Sequence, residues 1–295
     1  MSLAAAPDPS LNTQSAAAPE WASTSARAFG VHFNVHVNVA SLLPTLMPRL
    51  PPGARPCRRT GDEAFSCSVV RDTSRPDAGP GVVWQLSVDT EVQARTYSES
   101  EALDMFEGLV RFEVAQRAPR WTFVHAGVVG WSGRAIVIPG TSFSGKSMLV
   151  RALVRAGATY YSDEYAVLDQ RGLVYPFAQP LTNRNAPGGR QRLTVDELGG
   201  IAGARALPVG LVISTRYVPG ADWNPVRVSP GEALLALLQN TVRAQAAPAR
   251  VMRVLTRVAE SAMTLEGTRG EAESTATDVL KHTEAWEAAT VRNIA

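Results

Sequence analysis

The residues best equipped for chemistry lie in one stretch, Gly140-Thr141-Ser142-Phe143-Ser144-Gly145-Lys146-Ser147. The spacing is that of the phosphate loop G-x-x-x-x-G-K-[ST], entered here from the apolar run Ala135-Ile136-Val137-Ile138. Each residue type has a physical task. The glycines let the backbone turn so that successive N–H groups converge on phosphate oxygens. A helix opening at Gly145 adds unpaired amides and the positive end of its dipole. Lys146 would neutralise the β- and γ-phosphates, and the Ser147 hydroxyl is placed to bind magnesium. Gly140 through Ser147, with Met148 after them, are therefore the candidate nucleotide-binding residues. All but two of the 29 basic residues are arginine, the exceptions being Lys146 and Lys281. A chain that otherwise uses arginine keeps lysine where a compact ammonium on a flexible stem fits and a forked guanidinium does not.

An acidic pair, Asp163-Glu164, follows at the end of the short strand expected over Thr159-Tyr160-Tyr161-Ser162. One carboxylate of such a pair can reach magnesium and the other can take the proton of an attacking hydroxyl. Asp163 is assigned to the metal together with Ser147, and Glu164 to the base. An exposed acidic turn is the plainer alternative. His125 lies on the strand preceding the loop strand, where it could orient Glu164 or bind a phosphate oxygen; a satisfied core histidine is an equal alternative. Arg184, after Pro180-Leu181-Thr182-Asn183, is the candidate transition-state arginine, against an ordinary surface arginine.

The elements that must position these groups follow from periodicity. Phe123–Val129 and Ala135–Ile138 read as a hairpin around Gly130-Trp131-Ser132-Gly133-Arg134. The loop helix ends near Gly157, a glycine C-cap. Tyr165–Leu168 and Leu173–Phe177 read as strands about a Gln170-Arg171-Gly172 turn. A loop carrying Arg184, Arg190 and Arg192 leads to a strand at Pro208–Ser214. Helices are expected over 231–243, 249–261 and 271–282, packed on a sheet. Ahead of them, Val31, Phe33, Val35, Val37 and Val39 alternate with His32, Asn34, His36 and Asn38, a half-buried strand. Its two histidines stand roughly 13 Å apart and cannot share one ion, so solvated strand histidines are the better reading. A short helix after Ser41, strands near 64–70 and 82–88, and a helix over 99–116 complete this region. The expected organisation is a disordered leader over 1–25, a small α/β N-terminal domain over 26–118, and an α/β phosphate-loop domain over 119–295.

From Phe123 to Tyr217 the sequence resembles the catalytic domain of the HPr kinase/phosphorylase family. The resemblance rests on His125-Ala126-Gly127-Val128-Val129, on Gly140 to Ser147, and on Asp163-Glu164 where that family carries an Asp-Asp pair. The intervals of 21 residues from His125 to Lys146 and 17 from Lys146 to Asp163 agree with it. Leu193-Thr194-Val195-Asp196-Glu197-Leu198-Gly199 is similar to the hydrophobic segment after the family's signature loop. Two departures are visible: Glu164 is one methylene longer than aspartate, and Pro187-Gly188-Gly189-Arg190-Gln191-Arg192 replaces the acidic, glycine-spaced signature. The arrangement is closer to divergent members, some of which modify peptide precursors. The resemblance implies a phosphoenolpyruvate-carboxykinase-type P-loop kinase fold with a mixed sheet. It also implies ATP and Mg2+ as cofactors and transfer of phosphate to a serine of a protein or peptide, with His125, Lys146, Ser147, Asp163 and Glu164 as matching positions.

Composition narrows the alternatives. The net charge of +2, with scattered basic residues, argues against nucleic acid and acidic membrane as partners. Cys57 and Cys67 form neither a disulfide framework nor a zinc pattern. No apolar run suits a membrane span and no signal sequence is visible, so a cytoplasmic protein is expected. The oligomeric state, a homo-oligomer included, is left open. Two further readings of the loop stand beside the kinase: a nucleotide hydrolase in which Glu164 orients water, and a regulatory module that binds nucleotide without turnover.

Overall fold

The computed structural model describes residues 20–58, 64–73, 82–141, 144–183 and 191–292. The described residues fall into two compact units, one formed by those up to Ala26 and within His32–Leu50 and Pro56–Val110, the other by those within Arg27–Val31, Pro51–Arg55 and from Arg111 onward. The division falls inside a helix, between Val110 and Arg111.

The N-terminal region contains β1 (Ala22–Ala28), β2 (Val31–Val37), a short α1 (Leu43–Leu46), β3 (Arg55–Pro56), β4 (Phe65–Asp72), β5 (Val83–Val88), β6 (Glu91–Thr96) and α2 (Glu99–Arg117). Its strands form one sheet in the order β3-β1-β2-β4-β5-β6. The alternation read in β2 is realised: Val31, Phe33, Val35 and Val37 are buried. Its opposite face is less exposed than alternation suggests. Asn34 is buried and accepts a hydrogen bond from Ser25 Oγ at 2.7 Å, and His32 and His36 are only half-exposed. The disordered leader expected through residue 25 is too long, because Ala22–Ser25 already belong to β1. Alanine and serine are weak strand signals by themselves, and the ladder to β2 overrides them. Residues 1–19 lie outside the described residues.

The second region is a mixed α/β layer structure. It runs β7 (Thr122–Trp131), β8 (Arg134–Pro139), α3 (Lys146–Arg155), β9 (Thr159–Ser162), β10 (Tyr165–Leu168), β11 (Leu173–Tyr175), β12 (Leu181–Asn183) and β13 (Gln191–Leu193). It continues with β14 (Leu207–Tyr217), β15 (Val226–Arg227), α4 (Pro230–Gln239), α5 (Pro248–Ser261), β16 (Met263–Arg269) and α6 (Ala272–Arg292). The sheet order is β11-β10-β7-β8-β14-β16-β15, with β9 also on β7 and β11 returning to β14. The loop strand β8 is antiparallel to β7 and parallel to β14, which in turn is parallel to β16.

Along β8 the side chains alternate between two cores. Ile136 and Ile138 pack with Leu149, Val150 and Leu153 of α3 and with Ala276 and Val279 of α6. Ala135 and Val137 pack with Val251, Val254, Leu255 and Val258 of α5 on the other face. The expected β7–β8 hairpin closes on Ser132 and Gly133, both at positive φ (47° and 76°), the turn that suits the right-handed twist of paired strands. At the far end of α3, Gly157 (φ 100°) donates to Val154 O at 3.0 Å, and Ala158 N donates to Leu153 O at 3.0 Å. This is the Schellman cap that the glycine announces.

Four features differ from the sequence reading. The helix expected over 231–243 ends at Gln239, and α6 extends to Arg292. A two-stranded ladder, β12–β13, occupies part of the stretch read as an arginine-bearing loop. Most consequential is β16, which the sequence did not announce. It pairs with β14 over seven consecutive positions, from Leu211↔Met263 to Tyr217↔Arg269. Among the described residues no helix is long and apolar enough to cross a membrane.

Candidate active site

The phosphate loop joins the end of β8 to the start of α3, where the sequence places it. Gly140 N donates to His125 O at 3.2 Å, tying the loop's first residue to β7. A Cβ at Gly140 would stand 2.9 Å from Ser144 Oγ, so a side chain there would push the Ser144 hydroxyl aside. Gly145 adopts φ 83° and caps α3 through its backbone alone. Lys146, Leu149 and Val150 turn inward, while Met148 is exposed. Ser142 and Phe143 lie outside the described residues, as does Arg184.

Lys146 is buried, and its ammonium donates to the loop's own Thr141 carbonyl at 2.6 Å. Desolvation lowers its pKa, and the nearby Glu164 and Asp163 carboxylates oppose that shift. Both carboxylates thus act on the loop lysine electrostatically. The β9–β10 connection carries them. Both strands pair antiparallel with β7, with Val128 opposite Ser162 and His125 opposite Tyr165. Only a tight turn can join them. Ser162 Oγ holds it by accepting from Glu164 N at 3.0 Å and Tyr165 N at 2.9 Å.

Asp163 accepts a hydrogen bond from the Tyr160 hydroxyl at 3.1 Å, and the Ser147 side chain also favours its charged form. Burial pushes its carboxyl pKa up, with the Glu164 charge adding to the rise, while the Tyr160 and Ser147 contacts work against it. The Tyr160 oxygen also lies 3.0 Å from the Gln179 carbonyl, and Gln179 Oε1 accepts from Arg111. Tyr160 and Gln179 are thus site residues the sequence did not single out. Tyr160 was legible only as a strand residue, and Gln179 reaches the site through tertiary packing.

His125 Nε2 is 3.9 Å from Glu164 Oε1. Its pKa is lowered to about 4, first by burial and then by the Lys146 charge, so the ring is neutral near pH 7. The pair is accordingly a neutral imidazole beside a carboxylate, longer than a direct hydrogen bond.

Oxygen donors fit a hard divalent cation. Ser147 favours the charged form of Asp163, and Asp163 is a half-buried carboxylate destabilised by a second acid. Among the described residues no group of three or more His, Cys, Asp or Glu side chains could hold a metal. Magnesium is commonly held by one or two protein oxygens plus substrate phosphates and water, which is what Ser147 and Asp163 could provide.

A second feature was invisible in the sequence. Arg269, on β16, donates from Nη2 to the Gly145 carbonyl at 2.9 Å. It is only 2% exposed.

No family model matches the chain, and no curated protein matches it. Among solved structures it is similar to the Hpr(Ser) kinase/phosphatase from Coxiella burnetii, with 16% sequence identity and a TM-score of 0.35, over 56% of this chain and 97% of that one.

Proposed function

We propose that the protein is an ATP- and Mg2+-dependent kinase that transfers the γ-phosphoryl group to a serine hydroxyl of a protein or peptide. On this reading the second unit is a phosphoenolpyruvate-carboxykinase-type P-loop domain. The observation that carries the proposal is the mutual electrostatic influence of the loop and the acidic turn: Ser147 and Glu164 act on the Asp163 carboxyl, and both acids act on Lys146. A module that only bound magnesium-nucleotide could use Asp163 for the metal but would not need the second acid, Glu164, beside it.

The loop amides and Lys146 hold the triphosphate, Lys146 exchanging its bond to Thr141 O for phosphate oxygens. Ser147 and Asp163 would hold magnesium, which supplies charge neutralisation on the phosphates when bound. Glu164 accepts the proton of the acceptor hydroxyl. The freed oxygen then forms its bond to the γ-phosphorus as the bond to the β–γ bridging oxygen breaks, leaving ADP. His125, neutral, offers one N–H toward Glu164 or a phosphate oxygen without adding charge. Positioning and electrostatics supply most of the rate and the base roughly 10²–10⁴-fold.

The test uses γ-labelled ATP, Mg2+ and a peptide library with one central serine. Label on peptide supports the kinase. Free phosphate alone supports the hydrolase, and unchanged bound nucleotide the regulatory module. Glu164→Gln should keep ATP binding and lose transfer by at least about a hundredfold. Turnover near the wild-type level in that variant would remove Glu164 from the base role.

A further inference from the structure

Arg269 sits on the last strand of the sheet, remote in sequence from the phosphate loop, yet its guanidinium reaches the first peptide of α3. Nη2 donates to Gly145 O at 2.9 Å and Nη1 to Gly270 O at 3.0 Å. The group lies 5.4 Å from the centre of the Tyr217 ring, whose hydroxyl donates to Glu271 Oε1 at 2.9 Å. Nε is buried without a hydrogen-bond partner. Among the described residues no carboxylate is within ion-pair distance of this cation, although Tyr217 and Glu271 favour its charge through space.

Two consequences follow. A trans peptide points its C=O and N–H in opposite directions. Gly145 O accepts from Leu149 N at 3.2 Å and from Arg269, so both of its lone pairs are engaged and the peptide cannot rotate freely. The Lys146 N–H on the other side of that peptide is thereby aimed out of the helix start, where a phosphate would lie. Second, a buried cation without a counter-ion, beside the positive end of a helix, is costly until an anion arrives. The chain also keeps residue 145 free of a side chain there, since a Cβ would collide with Nη2.

We infer that Arg269 is a positioning residue of the phosphate cradle: it fixes the peptide that opens α3 and leaves its own charge to be balanced by the bound triphosphate. This rests on the loop being a nucleotide site. It assigns to β16 a part in nucleotide affinity that the loop motif does not contain.

The test measures the affinity of the full chain for ATP, ADP and AMP with Mg2+ by calorimetry, alongside melting without nucleotide. Arg269→Lys keeps the charge but cannot donate to both carbonyls in one plane. The expected result is at least a tenfold weaker ATP affinity, a smaller loss for ADP, and the smallest for AMP. A purely structural role would lower the melting temperature and leave the affinity of the folded protein unchanged, which overturns the inference. Should Arg269→Lys show no cooperative melt, Tyr217→Leu decides. Tyr217 is exposed, and removing its ring should weaken ATP binding severalfold; unchanged affinity there overturns the inference. Wild-type protein that binds no ATP, with Lys146→Ala as the control, refutes the nucleotide site itself.

Discussion

Replacing His125 tests the electrostatics of the site without nucleotide. In the folded chain the imidazole pKa falls from 6.5 to about 4 because the ring is partly buried and faces the Lys146 ammonium. The native state therefore binds fewer protons than the unfolded chain in that window. Stability contributed by the neutral ring is intact above about pH 6.5 and is lost as pH falls toward 4. The full depression corresponds to about 3 kcal/mol, of which roughly 2.5 kcal/mol falls between about pH 7 and about pH 4.5. Asp163 acts in the opposite sense: its raised pKa makes the native state take up protons earlier, which adds stability as pH falls. The informative quantity is thus the difference between wild type and His125→Gln, in which the Asp163 contribution cancels. Urea unfolding at the two pH values should show the wild type losing about 2 kcal/mol more than the variant. Parallel losses, within about 0.5 kcal/mol, would mean that burial and the Lys146 charge do not hold the ring neutral. The role of His125 as an uncharged donor would then fail.

Lys146→Ala should abolish the rise in melting temperature produced by ATP and Mg2+; an unchanged rise would take the loop out of the mechanism. Gly145→Ala imposes a left-handed φ of 83° on a Cβ that collides with Arg269. Strain and overpacking together should cost about 2–4 kcal/mol in urea unfolding, and a loss under about 0.5 kcal/mol would show that the helix start yields easily.

The loop was legible because its information is local: two glycines, a lysine and a serine at fixed spacing, entered from an apolar strand. The Gly157 cap and the Ser132-Gly133 turn were legible for the same reason, since a positive φ is written into the residue type. The short strand over Thr159–Ser162 ahead of the acidic pair was legible too, whereas the return of both flanking strands to β7 was not. What the sequence hid is non-local. Met263–Arg269 carries Glu266 and Gly267 in its middle and no clear alternation, so its strand character comes from the ladder to β14. Without β16 in place, Arg269 reads as one arginine among many.

Strand β14 joins these two kinds of information. It pairs with the loop strand β8 on one side and with β16 on the other, so Ile136 and Val137 share their partners Leu211 and Val212 with Met263 and Thr264. Seven registered pairs then carry the chain from Met263 to Arg269, the last of them opposite Tyr217. The register that seats the β16 apolar residue Leu265 against the α3 and α6 core also sets how far along the sheet the guanidinium emerges. A one-residue slip would turn Leu265 out of that core and Arg269 away from Gly145, because side chains alternate along a strand. Core packing and cradle geometry therefore select the same register, and burial that holds the sheet together also holds the cation against the phosphate loop.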